Sequence, residues 1–150
     1  METTPTSAER PRKKKPLGAI AIAGIAALAA LAYYTSQNSD YNFTLALAAK
    51  TENLSYPKMV DDKTRIDSVT ASRDRIYHYY YSFPEMSRAD ITNENFCDDW
   101  ERAITEEMTK VKDTRELGSH GVTLVFTIRD KTGTELCTVT LPAEKYYKAP

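Results

Sequence analysis

The sequence of 150 residues predicts an α+β fold: an antiparallel four-stranded sheet of two β-hairpins, in the order α-β-β-α-β-β, with one long helix packed on it. Two pairs of short segments rich in β-branched and aromatic residues, each pair divided by a polar turn, predict the hairpins. An amphipathic stretch between the pairs, residues 93–117, predicts the long helix. A basic run and then an uncharged apolar run predict a single N-terminal transmembrane helix ahead of the domain.

The start of the chain has a membrane-targeting pattern. Residues 1–16 carry five basic and two acidic side chains, and residues 17–34 carry no charge and would span about 27 Å as a helix. Because Lys and Arg beside a first apolar segment stay in the cytoplasm, the pattern predicts a single-pass protein of the bacterial inner membrane, with its N-terminus cytoplasmic and its C-terminal domain periplasmic. The alternative is a secretory signal peptide that is cleaved between Ala32 and Tyr33.

This interpretation divides the chain into four parts. Residues 1–16 form a disordered basic cytoplasmic tail, 17–34 the transmembrane anchor or signal segment, 35–42 a polar stalk, and 43–150 a periplasmic α+β domain. The part after residue 34 has fifteen basic and nineteen acidic side chains, a net charge of about −4. This balance argues against nucleic acid as a partner.

The first half of the domain predicts a helix and a hairpin. Residues 43–53 are rich in Ala and Leu and predict a helix, which Pro57 follows. Residues 64–72 and 75–83 predict two antiparallel strands. One face of the second strand is aromatic, and we expect this face to point inward: Tyr77, Tyr79, Tyr81 and Phe83.

The second half predicts the long helix and a second hairpin. Residues 93–117 carry an apolar stripe at helical spacing. Residues 121–129 and 135–141 alternate as strands around the turn Asp130–Gly133, where glycine suits a positive φ. The members of the helical stripe are Phe96, Trp100, Ile104, Met108 and Val111.

The two cysteines predict a disulfide between Cys97 and Cys137. An exported compartment permits disulfides, and an even cysteine count without a CxxC spacing favours a structural bridge. A bridge that closes this loop of about 40 residues would contribute roughly 4 kcal/mol in the chain-entropy model. Two buried free thiols are the alternative.

Several stretches resemble a small bacterial envelope domain family that is widespread in Gram-negative bacteria and largely uncharacterised. They are Leu54–Val69, Tyr77–Tyr79, Gly121–Val125 and Ile128–Gly133, and the most specific is the string VDxxTRxDSV within the first. The resemblance covers about residues 50–146. It implies a domain behind a signal peptide or a single anchor, a first cysteine near Cys97 and a second near Tyr146, and no catalytic residues.

No pattern of catalytic or cofactor-binding residues stands out. The two histidines, His78 and His120, lack the spacing of a metal site, and the sequence contains no phosphate-binding loop or nucleophile pair. We therefore expect no enzymatic activity, cofactor, metal or small-molecule substrate.

A dense polar string at a strand entrance is the best candidate for a specific site. Its members Asp61, Thr64, Arg65 and Asp67 predict either a buried ion-pair network centred on Arg65 or a surface that binds a peptide or a partner protein. The resulting hypothesis is an inner-membrane-anchored periplasmic interaction module without catalytic activity, which binds an unknown envelope protein through the exposed face or edge of its sheet. The alternative is a periplasmic inhibitor or immunity protein that blocks a hydrolase.

Overall fold

A computed structural model describes residues 41–112 and 114–148 of the chain. Four α-helices and five strands lie in this part, together with two short 3₁₀ turns, Asn53–Ser55 and Arg88–Asp90. The helices are α1 (Tyr41–Glu52), α2 (Phe96–Lys110), α3 (Thr114–Ser119) and α4 (Ala143–Tyr146). The strands are β1 (Lys58–Met59), β2 (Arg65–Ala71), β3 (Ile76–Ser82), β4 (Thr123–Arg129) and β5 (Glu135–Leu141).

The sheet is mixed and five-stranded, so the prediction of a four-stranded antiparallel sheet is wrong. The strands lie side by side in chain order; β3 and β4 are parallel, whereas the other neighbouring pairs are antiparallel. Between β3 and β4 the chain passes through α2 and α3 and returns to the end of the sheet where β3 began. A crossover of this kind delivers the next strand parallel to the first.

The strand absent from the prediction is β1, which forms one edge of the sheet. It pairs only Lys58 and Met59 with β2, and two residues are too few for a periodic pattern. Beyond β1 the edge of β2 is covered by the side chain of Asn53, which accepts a hydrogen bond from Val69 N and donates one to Val69 O, each at 2.8 Å. This amide satisfies backbone groups that an open edge would expose.

The predicted single helix over residues 93–117 is two helices. The backbone of Val111 is extended and ends α2, and α3 begins at Thr114. The hydroxyl of Thr114 is buried and lies 2.7 Å from the carbonyl oxygen of Met108 and 2.6 Å from that of Val111. It therefore binds carbonyls that the end of a helix leaves without intrahelical partners.

The core lies between the helices and one face of the sheet. The aromatic face of β3 points inward as predicted: Tyr77, Tyr79 and Tyr81 are each at most 5% exposed. Rings from α2 pack against them, with Trp100 next to Tyr81. The opposite sheet face, here called the outer face, carries polar side chains that contact one another. Those in contact are His78, Tyr80, Thr127, Arg129 and Thr138, and Thr70 lies on the same face opposite His78.

The predicted disulfide between Cys97 and Cys137 is confirmed. It joins the first turn of α2 to β5, with 5.6 Å between the two Cα atoms. Tyr146, near which the family resemblance implied the second cysteine, is instead a buried tyrosine whose hydroxyl donates a 2.6 Å hydrogen bond to Val122 O. The bridge thus anchors the crossover to the far edge of the sheet.

The predicted single-pass inner-membrane localisation is corrected. No helix within the described ranges is long and apolar enough to cross a bilayer. The longest, α2, has 15 residues, about 22 Å, and carries acidic side chains in its first turn. The predicted tail (1–16) and anchor (17–34), with its alternative cleavage site, lie outside the described residues, as does most of the predicted stalk (35–42), whose last two residues belong to α1.

One carboxyl group is buried among the aromatic residues of the core. Glu52, 5% exposed, accepts hydrogen bonds from Tyr77 Oη (3.0 Å) and Tyr56 Oη (3.1 Å). Burial raises the pKa of Glu52 from 4.5 to about 7, although the two tyrosine hydroxyls oppose the shift. No basic side chain forms an ion pair with Glu52 in the described part of the chain.

We predict that Glu52 makes the fold less stable as the pH rises. Below pH 4.5 the carboxyl is protonated in both states, and between pH 4.5 and about 7 the unfolded chain loses the proton first. Stability therefore falls by ~3 kcal/mol across this window from this group alone. Urea unfolding of the wild type and of Glu52→Gln at pH 4.5 and pH 8 measures the effect.

Glu52→Gln keeps the carbonyl acceptor but cannot ionise, so the difference in unfolding free energy between variant and wild type should grow in favour of the variant as the pH rises. The other titrating groups are the same in both proteins, so their contributions to the unfolding free energy cancel in this difference. A difference that is the same at both pH values would contradict the prediction.

Candidate functional site

The described part of the outer face contains a cleft at the end of the sheet where β3 finishes. Cross-strand pairing places Arg65, Ser82 and Arg129 in one row across β2, β3 and β4. The cleft has a volume of about 390 Å³ and opens to solvent. Its lining residues are Arg65, Asp67, Ser82, Pro84, Arg129, Asp130, Lys131, Thr132 and Gly133.

One wall holds an arginine that a neighbouring carboxylate orients. Arg65 Nε forms an ion pair with Asp67 Oδ1 at 2.5 Å, and Ser82 Oγ donates a 3.1 Å hydrogen bond to the same oxygen. A β-bulge between Ile66 and Ser68 brings Asp67 onto the same side as Arg65. The pair is partly solvated, since the side chains are 40% and 28% exposed, and its contribution to stability is therefore modest.

The other two residues of the predicted network lie elsewhere. Asp61 Oδ1 accepts hydrogen bonds from the backbone N–H of Lys63 and Thr64, both at 2.7 Å, and so closes the turn between β1 and β2. Thr64 is 3% exposed. The structure thus pairs Arg65 with Asp67 and uses Asp61 and Thr64 to shape the turn that leads into β2, with no ion pair between Asp61 and Arg65.

The opposite wall contains Arg129, which the sequence analysis missed together with the outer-face side chains next to it. The guanidinium of Arg129 lies over the ring of Tyr80, with 5.3 Å from Cζ to the ring centroid, and Tyr80 stacks on His78 at 4.1 Å. His78 Nε2 lies 2.8 Å from Thr127 Oγ1, which is 2.9 Å from Thr138 Oγ1. The alignment of β3 with β4 brings Arg129 to Tyr80 and Thr127 to His78, so no local sequence pattern identifies these two contacts.

A hydrogen-bonded turn between β4 and β5 completes the cleft. Asp130 Oδ1 accepts hydrogen bonds from Thr132 N, Thr132 Oγ1 and Thr134 N, and Oδ2 accepts one from Arg88 N. The Thr132 hydroxyl and these backbone N–H groups lower the pKa of Asp130 to about 2. The Asp130 carboxylate therefore stabilises the turn. Lys131, the next residue, is exposed.

The site offers recognition groups and not a metal centre. Within the described residues, no three His, Cys, Asp or Glu side chains come together as a metal site. The residues around the cleft can form ion pairs, hydrogen bonds and aromatic contacts, which are the chemistry of binding.

Comparison with known proteins shows the family. Residues 40–137 match the model of a family described as a domain of unknown function (DUF8479), and the chain belongs to that family. This match confirms the expectation that the chain belongs to an uncharacterised family. No curated protein sequence matches the chain.

Three solved structures share the fold. A protein of Pseudomonas aeruginosa described as a candidate secreted protein has a TM-score of 0.59 and 18% identity, and the match covers 72% of this chain and 97% of that one. The type 2 secretion system pilotin EpsS of Vibrio vulnificus has a TM-score of 0.58 and 9% identity, over 72% and 93% of the two chains. The type II secretion pilotin AspS of Vibrio cholerae has a TM-score of 0.54 and 13% identity, over 69% and 90%.

We predict opposite changes in the pKa of His78 when the two charges near it are removed. Burial lowers the pKa of His78 below 6.5, the positive charge of Arg129 lowers it further, and Glu135 opposes them. Arg129→Gln should raise this pKa and Glu135→Gln should reduce it further, as read from ¹H–¹³C NMR titration of the imidazole. The same pKa in both variants as in the wild type would show that Arg129 and Glu135 do not flank His78.

Proposed function

We propose that the protein is a non-catalytic interaction module that binds another envelope protein through the outer face of its sheet and the cleft at one end. The observation that carries the proposal is the outer face itself. Its charged and aromatic side chains are arranged across β2, β3 and β4, and no residue of the described helices hydrogen-bonds to them or stacks on them. Tyrosine and arginine side chains, such as those of Tyr80, Arg65 and Arg129, are enriched in protein-binding surfaces.

The disulfide and the structural neighbours support this role. A bridge such as Cys97–Cys137 is typical of proteins that fold in oxidising compartments outside the cytoplasm. Two proteins of the same fold are pilotins of type 2 secretion systems, and a third is described as a candidate secreted protein. At this low sequence identity the shared fold is an argument by analogy. The analogy favours an assembly role over a catalytic one.

The alternative, an inhibitor or immunity protein that blocks a hydrolase, requires an acidic face for a basic partner. The cleft has the opposite charge balance, because Arg65, Arg129 and Lys131 outnumber Asp67 and Asp130. The structure therefore offers no observation that favours this alternative.

Site-specific photocrosslinking in intact cells of the source organism tests the proposal. A photoreactive phenylalanine at Thr70 or Thr140, both exposed on the outer face, should give one discrete product containing the same envelope protein, identified by mass spectrometry. The matched control is Thr109, exposed on α2, on the side of the domain away from the outer face. The control position should not capture that protein.

The charge reversal Arg129→Glu combined with the Thr140 probe should abolish the product, whereas Arg73→Glu, at the opposite end of the sheet, should leave it. Capture of the same protein only from Thr109 would overturn the assignment of the outer face. A captured hydrolase, inhibited by the purified protein, would transfer support to the alternative function.

A further inference from the structure

We propose that the cleft binds a carboxylate group in an acidic peptide segment of the protein partner. This inference rests on the proposed function and names the chemistry that the same surface recognises. Four features of the described residues carry it: the spacing of two arginines, their unused hydrogen-bond donors, the side chains that hold the two guanidinium groups in place, and the charge balance of the cleft.

The two arginines flank one small residue. In the strand register, Arg65 on β2 and Arg129 on β4 both lie opposite Ser82 on β3. Neighbouring strands lie about 4.8 Å apart, so the Cα atoms of the two arginines are ~10 Å apart, with the small Ser82 side chain between them. Two guanidinium groups that approach from opposite sides of such a gap can both reach one group placed over Ser82.

Both arginines keep donors available. Arg65 uses Nε for Asp67, and neither of its Nη atoms hydrogen-bonds to another described residue. Arg129 lies on the face of Tyr80, and no described carboxylate is within ion-pair distance of it. A guanidinium donates in a planar fork that matches a carboxylate, and such charge-assisted pairs are stronger than neutral hydrogen bonds.

The positions of both guanidinium groups are partly fixed before a ligand arrives. Asp67 holds Arg65 through Nε, and Ser82 in turn holds the Asp67 oxygen. The guanidinium of Arg129 packs on the face of the Tyr80 ring. Side chains that are already oriented lose less conformational entropy on binding, so the cleft suits recognition of a small planar anion.

The charge balance favours a single negative charge. The cleft contains three cations, Arg65, Arg129 and Lys131, and two carboxylates, Asp67 and Asp130, for a net charge of +1. One carboxylate neutralises this charge, whereas a phosphate dianion would place excess negative charge beside Asp67 and Asp130.

The cleft also opens onto the outer face, where Pro84 and the Tyr80 ring offer apolar contact to the rest of a peptide.

NMR titration of the full chain with three probes tests the inference. The probes are the peptide acetyl-Gly-Glu-Gly-amide, its neutral analogue with Gln in place of Glu, and inorganic phosphate. The Glu peptide should shift the side-chain Nε–H signals of Arg65 and Arg129 saturably, and the Gln peptide should not. Affinity should fall about tenfold or more in Arg65→Gln and in Arg129→Gln, because each removes a charge-assisted pair.

Arg73→Gln is the matched control and should bind the Glu peptide as the wild type does. Arg129→Lys, which keeps the charge but loses the fork, should bind with an affinity between those of the wild type and Arg129→Gln. Backbone spectra that match the wild type show that each variant folds. Equal binding of the Glu and Gln peptides, or tighter binding of phosphate than of the Glu peptide, would overturn the inference. If the outer-face crosslinks described above persist in that case, the proposed function stands and only the carboxylate chemistry fails.

Discussion

The parallel pairing of β3 with β4 is the constraint on which the rest of the structure depends. It aligns Ile76 with Thr123 at one end and Ser82 with Arg129 at the other. This alignment places the Arg129 guanidinium on Tyr80 and opposite Arg65, and so it creates both walls of the cleft. In an antiparallel pairing of the same two strands, Arg129 would lie at the Ile76 end, and the two arginines would be a strand length apart.

The first half of the crossover between these strands is held to the sheet by a disulfide, by aromatic packing and by backbone hydrogen bonds. Cys97 binds α2 covalently to β5, and Phe83, just after β3, packs against Trp100 of α2. The start of the crossover also holds the turn after β4, because Arg88 N donates to Asp130 and Lys131 N donates to Met86 O. The segment that determines the direction of β4 therefore also fixes the turn that forms one wall of the candidate site.

The sequence predicts the four long strands well and their long-range assembly poorly. The four long strands lie within two residues of their predicted ends, since alternation of side chains is a local property. The aromatic face of β3 and the cysteine pairing also follow from local pattern and composition. The direction of β4 relative to β3 does not, because it is set by contacts between segments some 40 residues apart. The site divides in the same way: the polar string identifies Arg65 and Asp67, but Ser82 and Arg129 join them only through the register of the sheet.

The pairing of β3 with β4 can be measured directly through interstrand nuclear Overhauser effects between backbone amide and Hα protons in isotope-labelled protein. The structure predicts cross-peaks that connect the neighbourhood of Ser82 with Arg129, and the neighbourhood of Ile76 with Thr123. Cross-peaks that connect Ile76 with Arg129 would show an antiparallel pair. That result would contradict the described register and, with it, the cleft and the binding chemistry inferred from it.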